Sequence, residues 1–140
     1  MLKSAETQNF NEFNSMKKII ASPNAPAAIG PYSQANQVNG MLFISGQLPI
    51  DPATGKFPEG GVTEQTVQSL KNVEAILTEA GYTFDDVVKT TVYLADIKDF
   101  AAMNDVYKTV YATDCPARSA FAVKDLPMGA LVEIETIAGK

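Results

Sequence analysis

Arg118 is the only arginine among the eleven basic residues of this chain. It follows Cys115-Pro116-Ala117 and precedes a run of small and aromatic residues typical of a buried strand. A guanidinium group offers a planar fork of donors that matches a carboxylate with two parallel hydrogen bonds, whereas the ammonium group of lysine does not. The residue type therefore favours recognition of a carboxylate at this position. A surface ion pair of little energetic value is the alternative.

Two glutamates near the end of the chain are the acidic groups that could act with this cation. In the last predicted strand, Val132, Ile134 and Thr136 project to one side. Glu133 and Glu135 project to the other side, about 7 Å apart by strand rise. Two carboxylates on one sheet face repel each other unless they are solvated or paired with a cation.

The strand before it has a similar alternation. Phe121 and Val123 share one side, which leaves the other side to Arg118, Ala120 and Ala122. If the apolar residues of both strands pack beneath helices, the arginine and the two glutamates share the outer face of the sheet. The pattern therefore predicts that the cation and both carboxylates lie on one face.

The composition restricts the classes of function. With 140 residues, 46% of them hydrophobic, the chain is long enough for one domain with a sizeable core. Its formal net charge of −5, without a basic cluster, argues against a nucleic-acid partner. No apolar run approaches the roughly 20 residues of a membrane span. Cys115, the single cysteine, is predicted to be a buried small hydrophobe and fits a reducing, cytoplasmic compartment.

The absence of histidine restricts the chemistry. It removes Ser-His and Cys-His nucleophilic pairs and every histidine metal site. There is no EF-hand spacing, phosphate-binding loop or dinucleotide fingerprint, although a carboxylate-only Mg²⁺ or Ca²⁺ site stays open. We therefore expect chemistry that uses arginine, lysine, tyrosine, serine, carboxylates, backbone groups and water, without a cofactor.

The order of the predicted strands is that of a single domain preceded by an extension. Residues 1–15 are polar and lack the pattern of a secretory or mitochondrial leader, so we expect an extension outside a domain that spans 16–140. An ordered first strand is the alternative. Asn39-Gly40 is a strong hairpin signal because both positions tolerate positive φ. The predicted strands cover 17–20, 32–38, 42–47, 88–94, 119–123 and 131–138.

Two helices are predicted from apolar residues at helical spacing. The first follows the turn-rich stretch 49–62, takes Thr63 as its N-cap and ends at Gly81. Its apolar stripe is Val67, Leu70, Val73, Leu77 and Ala80. The stripe of the second is Phe100, Met103, Val106, Tyr107 and Val110. Strand-rich halves that each lead into an amphipathic helix predict an α+β domain, a mixed sheet with both helices on one face.

Three groups of residues, in order along the chain, together resemble the Rid (RidA, YjgF-like) family of enamine/imine deaminases. They are Gly30-Pro31-Tyr32-Ser33-Gln34-Ala35; Ser45-Gly46-Gln47-Leu48-Pro49 with Asp51 and Thr54-Gly55; and Pro116-Ala117-Arg118-Ser119 followed by Leu126-Pro127 and Glu133-Ile134-Glu135. The resemblance runs from about Lys17 to Ala138. One such group is a weak signal, whereas three groups at compatible spacing are specific.

The resemblance implies a chorismate-mutase-like α+β fold of the bacillus type that assembles as a homotrimer. In that assembly the sheets face inward, the helices face outward, and three sites lie in clefts between subunits. The implied reaction is hydrolysis of reactive 2-enamino or 2-imino acids, such as 2-aminoacrylate or 2-iminopropanoate, to 2-keto acids and ammonia without a cofactor. The expected partners are therefore small 2-imino and 2-keto acids, and neither a membrane nor a nucleic acid.

The resemblance also assigns roles by position. Arg118 would grip the substrate carboxylate, and Glu133 would position the attacking water or shuttle protons. Glu135 is expected to be structural. The remaining substrate-binding positions are Tyr32, which would come from the neighbouring subunit, Ser45, Gly46, Asn104 and Ala120.

Several of these positions have a simpler alternative. Tyr32 could pack only beside Pro31, and the hydroxyl group of Ser45 could bond only to backbone. Asn104 could serve only to tie a helix to a loop. Ala120 occupies a position where many relatives carry cysteine, so a catalytic thiol is ruled out there.

Two other functions stay open at this point. A ligand-sensing module of the same fold would keep Arg118 as the anchor for a small carboxylate and would not need Glu133. An RNA-directed activity, described for some relatives as ribonuclease or translation inhibition, is opposed by the acidic charge. A turnover assay separates the first alternative from an enzyme, and RNA binding tests the second.

Overall fold

The computed structural model describes residues 16–140, which form one sheet with two long helices packed against it. The strands are β1 (Lys18–Ile20), β2 (Ala35–Val38), β3 (Met41–Gln47), β4 (Val87–Leu94), β5 (Ala117–Ala122) and β6 (Val132–Gly139). The helices are α1 (Val62–Ala80) and α2 (Phe100–Val110), and short 3₁₀ turns occupy Phe84–Asp86, Ile97–Asp99 and Pro127–Gly129. Within this range no helix has the length and apolar character needed to cross a membrane. The predicted extension, residues 1–15, lies outside the described residues.

The sheet is mixed, as the sequence predicts. Its strand order is β1-β2-β3-β6-β4-β5, and β4 and β5 form the parallel pair while the other neighbours are antiparallel. The predicted hairpin between β2 and β3 is confirmed, with φ of 51° at Asn39 and 79° at Gly40. Because parallel strands need a crossover connection, α2 carries the chain from β4 to β5.

One face of the sheet is buried by the helices. Every second residue along the central strands is inaccessible, as expected for strands covered on one side. On β4 these residues include Thr90, Val92 and Leu94, and on β6 they include Val132, Ile134 and Thr136. The opposite face carries the partly or fully exposed residues of the same strands. The predicted arrangement of two helices on one face is therefore present.

The N-cap of the first helix lies two residues before the predicted cap. Gly61 is the N-cap, and the Glu64 carboxylate accepts a hydrogen bond from the Gly61 backbone N–H at 2.8 Å. Thr63 lies inside the first turn, so its prediction as N-cap is wrong. Gly81 ends the helix in the left-handed conformation with φ of 83°, as predicted. Val67 is 39% exposed, so it lies outside the buried stripe of the helix, although the sequence pattern includes it there.

Polar side chains on the buried side of α1 hold two loops. Asn72 is fully buried, and its amide nitrogen donates hydrogen bonds to the carbonyl oxygens of Leu48 at 3.1 Å and Ile50 at 2.9 Å. The side-chain oxygen of Gln65 accepts a hydrogen bond from the backbone N–H of Leu131 at 2.8 Å. Buried polar groups of this kind are retained when each has a partner. The segment after β3 and the residue before β6, which lie at the same end of this antiparallel pair, are therefore fixed to the helix.

Strand β4 starts with an irregularity that changes which residue is buried. Val87 is 5% exposed, whereas Val88 is 47% exposed, although regular alternation with the buried Thr90, Val92 and Leu94 would place Val88 on the buried side. The register with β6 shifts between Val87 and Lys89, as in a β-bulge. From Thr90 onward the alternation is regular.

Candidate active site

The residues predicted to form one site lie in two places within a single chain. Tyr32, Ser45, Gly46 and Glu133 line one pocket beside the outer face of the sheet. The other three are Asn104 on α2 and Arg118 and Ala120 on β5. The parallel register pairs Arg118 with Thr90, which is buried beneath the helices.

The predicted common face for the cation and the carboxylates is therefore wrong. Because Thr90 and Arg118 are direct partners, their side chains lie on the same face, and that face packs against α2. Phe121 takes the opposite face, where its ring meets Tyr93 edge-on at 5.6 Å. Phe121 is 45% exposed, so it is not one of the apolar residues packed beneath the helices.

The pocket that contains Glu133 has a volume of about 490 Å³. Its walls come from the loop before β2, from the end of β3 and the residues after it, and from the Pro127–Gly129 turn. Apolar side chains dominate these walls, including Ile29, Leu48, Ile50 and Met128. A larger groove of about 840 Å³ lies beside the β2–β3 hairpin and contains none of the predicted site residues.

Glu133 is the acidic group of this pocket. It is partly buried between Val132 and Ile134, whose side chains point into the core. Burial raises the pKa of the Glu133 carboxyl group above its ordinary value, and the negative charge of Glu135 raises it further. A carboxyl group with a raised pKa can both accept and return a proton closer to neutral pH than an exposed glutamate can.

Gly46 provides the room that the carboxylate occupies. A Cβ atom at this position would overlap with the Glu133 carboxylate, with the Cδ atom at 2.9 Å. Any other residue at position 46 would therefore displace the Glu133 side chain. The group that approaches Gly46 closely is therefore the side chain of Glu133.

The hydroxyl group of Ser45 bonds to the backbone. It donates to the carbonyl oxygen of Ser33 at 2.7 Å, and the Ser45 backbone N–H donates to the Gln34 carbonyl oxygen at 2.9 Å. The simpler alternative for Ser45 is therefore realised, while its hydroxyl oxygen still has acceptor capacity. Tyr32 is 53% exposed, and its ring lies against Gly30.

Gln34 is a structural member of the site that the sequence analysis did not single out. It is 5% exposed, and its side-chain oxygen accepts a hydrogen bond from the Ser22 backbone N–H at 2.6 Å. Its amide nitrogen donates to the Pro26 carbonyl oxygen at 2.9 Å. These bonds fold the loop over the pocket and present Tyr32. Gln34 belongs to the first group of residues that carry the family resemblance, but its residue type alone does not distinguish it from an exposed glutamine.

Arg118 is held by the helix α2. Its Nη1 donates a hydrogen bond to the Asn104 side-chain oxygen at 2.8 Å. Its Cζ lies 4.6 Å from the centre of the Tyr107 ring and 5.4 Å from that of Phe100. Among residues 16–140, no carboxylate oxygen lies within 4.0 Å of the guanidinium nitrogens of Arg118. The ion pair found among these residues joins Lys108 and Asp105 and does not involve the arginine.

Phe100 and Tyr107 are therefore neighbours of the site that the sequence analysis placed only in the core stripe of the helix. Positions 100, 104 and 107 are spaced by four and three residues, so they lie along one side of a helix. That spacing indicates that the three side chains act together. Which strand residue the three side chains face depends on the pairing of β4 and β5, which the sequence does not give. Ala120 lies two residues beyond Arg118 on the same face, packed against the core.

The remaining sequence expectations concern cysteine and metals. Cys115 is exposed, so the prediction of a buried cysteine is wrong. Its Sγ donates to the Tyr111 carbonyl oxygen at 3.2 Å. In the part of the chain that the structure describes, no group of three or more histidine, cysteine or acidic side chains is arranged to hold a metal ion.

Comparisons with known proteins give a consistent picture. Residues 22–140 match the family model described as Endoribonuclease L-PSP. The 2-iminobutanoate/2-iminopropanoate deaminase of Mus musculus is 52% identical over 123 residues, which cover 88% of this chain and 91% of that protein.

Solved structures agree with the fold. A putative endoribonuclease of Thermotoga maritima superposes with a TM-score of 0.87 at 46% identity, covering 89% of this chain and 98% of that one. Escherichia coli TdcF, solved with bound serine, superposes with a TM-score of 0.84 at 43% identity, covering 88% and 98% of the two chains.

Proposed function

The chain belongs to the endoribonuclease L-PSP family, which is also the YjgF/Rid family, and from that membership we propose that it hydrolyses 2-enamino and 2-imino acids to 2-keto acids and ammonia. Mammalian relatives about half identical to it carry the name 2-iminobutanoate/2-iminopropanoate deaminase. The observation that carries the proposal is the guanidinium group of Arg118, which is fixed by Asn104 and two rings and has no acidic partner among the described residues.

The substrate carboxylate binds the free donors of Arg118. A charge-assisted, two-bond contact fixes both the position and the orientation of a planar 2-imino acid. It also explains why the single arginine of the chain stands here, because lysine offers the charge without the fork. TdcF, a relative of similar size and fold, is described with bound serine, which is itself a small carboxylic acid with an amino group at C2.

Glu133 moves the protons of the reaction. A protonated imine is already electrophilic, so water adds to its carbon to give a carbinolamine, which then expels ammonia to leave the keto group. Glu133 takes a proton from the attacking water, returns it to the nitrogen, and takes the hydroxyl proton of the carbinolamine as ammonia leaves. Its raised pKa favours the second transfer, and the apolar walls of its pocket keep bulk water away from the reacting carbon.

One chain does not bring both groups to a single substrate, and we propose that a second copy does. Arg118 lies on the helix face of the sheet and Glu133 on the outer face. On the outer face Phe43 is 44% exposed and Phe121 is 45% exposed. Exposed aromatic side chains on one sheet face are typical of a surface that another protein covers. A homotrimer of chorismate-mutase-like subunits, with outer faces inward and sites in three clefts, accounts for both features.

The two alternatives make different use of the same residues. A ligand-sensing module would bind a small carboxylate at Arg118 without turnover. An RNA-directed activity, which the family description names, would need cationic surface that a chain of net charge −5 offers poorly. The single cysteine fits the reducing cytoplasm as the place of the reaction.

The test is release of pyruvate and ammonia from 2-aminoacrylate that a serine dehydratase generates in the same cuvette. We expect the protein to speed release above the spontaneous rate, and Arg118→Lys at the same concentration to be the matched control. Binding of 2-oxobutanoate without faster release would establish the sensing module and overturn the deaminase. Faster release by Arg118→Lys equal to the wild type would show that the carboxylate is bound elsewhere.

A further inference from the structure

The side chains that contact the Arg118 guanidinium group carry no negative charge. A guanidinium that is partly withdrawn from water ordinarily finds a carboxylate, because an unpaired buried charge is costly. Here Glu133 and Glu135, the two acidic residues of β6, lie on the other face of the sheet. The groups that surround the cation are one amide oxygen, from Asn104, and two aromatic rings.

An aromatic face attracts a cation without using its hydrogen-bond donors. The ring quadrupole interacts with the positive charge from above the guanidinium plane, whereas a carboxylate binds at its edge, where the N–H groups are. Asn104 occupies one of the donors. The remaining donors therefore stay available at the edge for a substrate carboxylate. A protein carboxylate in the same place would compete with that substrate.

Tyr107 is itself held in place. Its hydroxyl group bonds to the hydroxyl group of Thr90 at 2.7 Å, and the whole residue is 5% exposed. Thr90 is the register partner of Arg118 in the parallel β4–β5 pair. The same tyrosine thus bonds through its hydroxyl to one strand residue and presents its ring to the guanidinium of the adjacent one. The ring of Tyr111 also packs against Tyr107, with 4.7 Å between the two ring centres.

We infer that Phe100 and Tyr107 form an aromatic cradle that positions the Arg118 guanidinium group while leaving its charge and its edge free for the substrate carboxylate. Tyr107, the closer ring, is the main positioning residue. The inference rests on the proposed function for the identity of the ligand, a small 2-keto or 2-imino acid. It adds that affinity for this ligand depends on aromatic faces that the ligand does not touch.

The experiment is a calorimetric titration of 2-oxobutanoate into wild type, Tyr107→Phe, Tyr107→Leu and Thr90→Val. A cation–ring contact corresponds to between about twofold and about thirtyfold in Kd. We expect Tyr107→Leu to raise Kd within that range. Tyr107→Phe keeps the ring, and Thr90→Val removes the same hydroxyl–hydroxyl bond, so both should stay within about twofold of the wild type. Equal weakening by all three variants would mean that the bond to Thr90, and not the ring, positions the arginine.

A double-mutant cycle separates positioning from general support of the fold. In the Arg118→Met background the cation itself is gone, so adding Tyr107→Leu should change Kd by less than about twofold. A purely structural tyrosine would cost the same in both backgrounds, and that result would overturn the inference. Phe100→Leu supplies a second measurement if Tyr107→Leu does not fold, since Phe100 is only partly buried. An unchanged Kd in Phe100→Leu would then count against the cradle.

A further variant tests whether the free charge matters. Asn104→Asp keeps an acceptor oxygen beside Arg118 and adds the negative charge that the site lacks. We expect weaker binding of 2-oxobutanoate than in the wild type, because the new carboxylate pairs with the guanidinium. Binding as tight as the wild type would contradict the inference. These titrations measure affinity alone, so they stand even if the turnover assay shows no deaminase activity.

Discussion

Arg118 and Glu133 lie on opposite faces of the same sheet. Arg118 pairs in register with Thr90, and Glu133 pairs with Tyr93 three residues further along β4. Successive residues of a strand alternate between faces, so an odd separation along β4 places the two partners, and hence the two functional groups, on different sides. If both groups act on one substrate, they come from different subunits.

The first prediction is complementation between two inactive variants. Arg118→Lys and Glu133→Gln, mixed in equal amounts, unfolded and refolded together, should regain activity. In a closed ring whose sites join neighbouring subunits, random mixing gives about one quarter of sites with both native residues. The same variants refolded separately are the control. No recovery in mixtures that contain both chains would show that each site is built within one subunit.

The second prediction compares the two residues within the reaction. Arg118→Lys should fold but lose turnover by roughly ten- to hundredfold for each charge-assisted hydrogen bond lost, and should bind 2-oxobutanoate more weakly. Glu133→Gln keeps the shape but cannot accept a proton, so it should lower kcat more than it weakens binding. Steady-state kinetics and titration give both values. An Arg118→Lys variant that melts early, with normal activity in its folded fraction, would make the arginine structural.

The third prediction concerns the room beside Glu133. Gly46→Ala should fold, because the group that a Cβ would meet is the end of a flexible side chain, but kcat should fall as the carboxylate is displaced. Gly61→Ala is the matched control, since a Cβ there meets nothing within 4 Å. In the Glu133→Gln background, Gly46→Ala should cost little more. Full additivity of the two changes would show that Gly46 acts independently of the glutamate.

The fourth prediction follows from the raised pKa of Glu133. The folded state binds this proton more tightly than the unfolded chain does, so the stability that it contributes is present at low pH. That stability is lost as pH rises through the raised pKa. Glu133→Gln should therefore melt at about the wild-type temperature near pH 4 and above it near pH 7.5.

The neighbouring glutamate provides the control for this pH dependence. Glu135→Gln removes one of the two causes of the shift, so it should lower the pKa of Glu133 and make the stabilising effect of Glu133→Gln near pH 7.5 smaller in that background. Melting temperatures are compared by calorimetry across the pH range. A Glu133→Gln variant that matches the wild type near pH 4 and melts below it near pH 7.5 would mean that the charged form is favoured in the folded protein.

The fifth prediction concerns the segment before the domain. A chain that begins at Met16 should keep the melting temperature and the activity of the full chain. Residues 1–15 lack apolar periodicity in sequence, and the family model matches only from residue 22 onward. Activity and melting are compared at equal subunit concentration. A large loss of either would show that the segment belongs to the functional unit.

Local sequence signals predicted most of the fold. The positive φ values at Asn39-Gly40, the helix end at Gly81 and the two helices are all set by nearby residues, and the structure has them where they were expected. The start of α1 differs from the prediction because Gly61 is the N-cap, held by the Glu64 carboxylate. A glycine has no side chain that would mark it as a cap in the sequence. Such errors are local and leave the topology unchanged.

The candidate site was less predictable, for a reason that is not local. Alternation along β5 correctly separated Arg118 from Phe121, but only the register with β4 decides which of the two faces the helices. The apolar Phe121 was the natural choice for the buried face. In the structure the cation takes that face because Tyr107 and Phe100 accept it there. Pairing between strands that are far apart in sequence therefore decided the site.

The buried amide of Asn72 links one wall of the Glu133 pocket to the helix α1. Its two bonds reach the carbonyl groups of Leu48 and Ile50, which line the same pocket as Glu133. For that segment to open, a fully buried amide and two carbonyl groups would lose their partners at once, so the segment cannot fray on its own. Segment and helix should behave as one cooperative unit, which leaves the Pro127–Gly129 turn, with Met128 63% exposed, as the more adaptable side of the pocket.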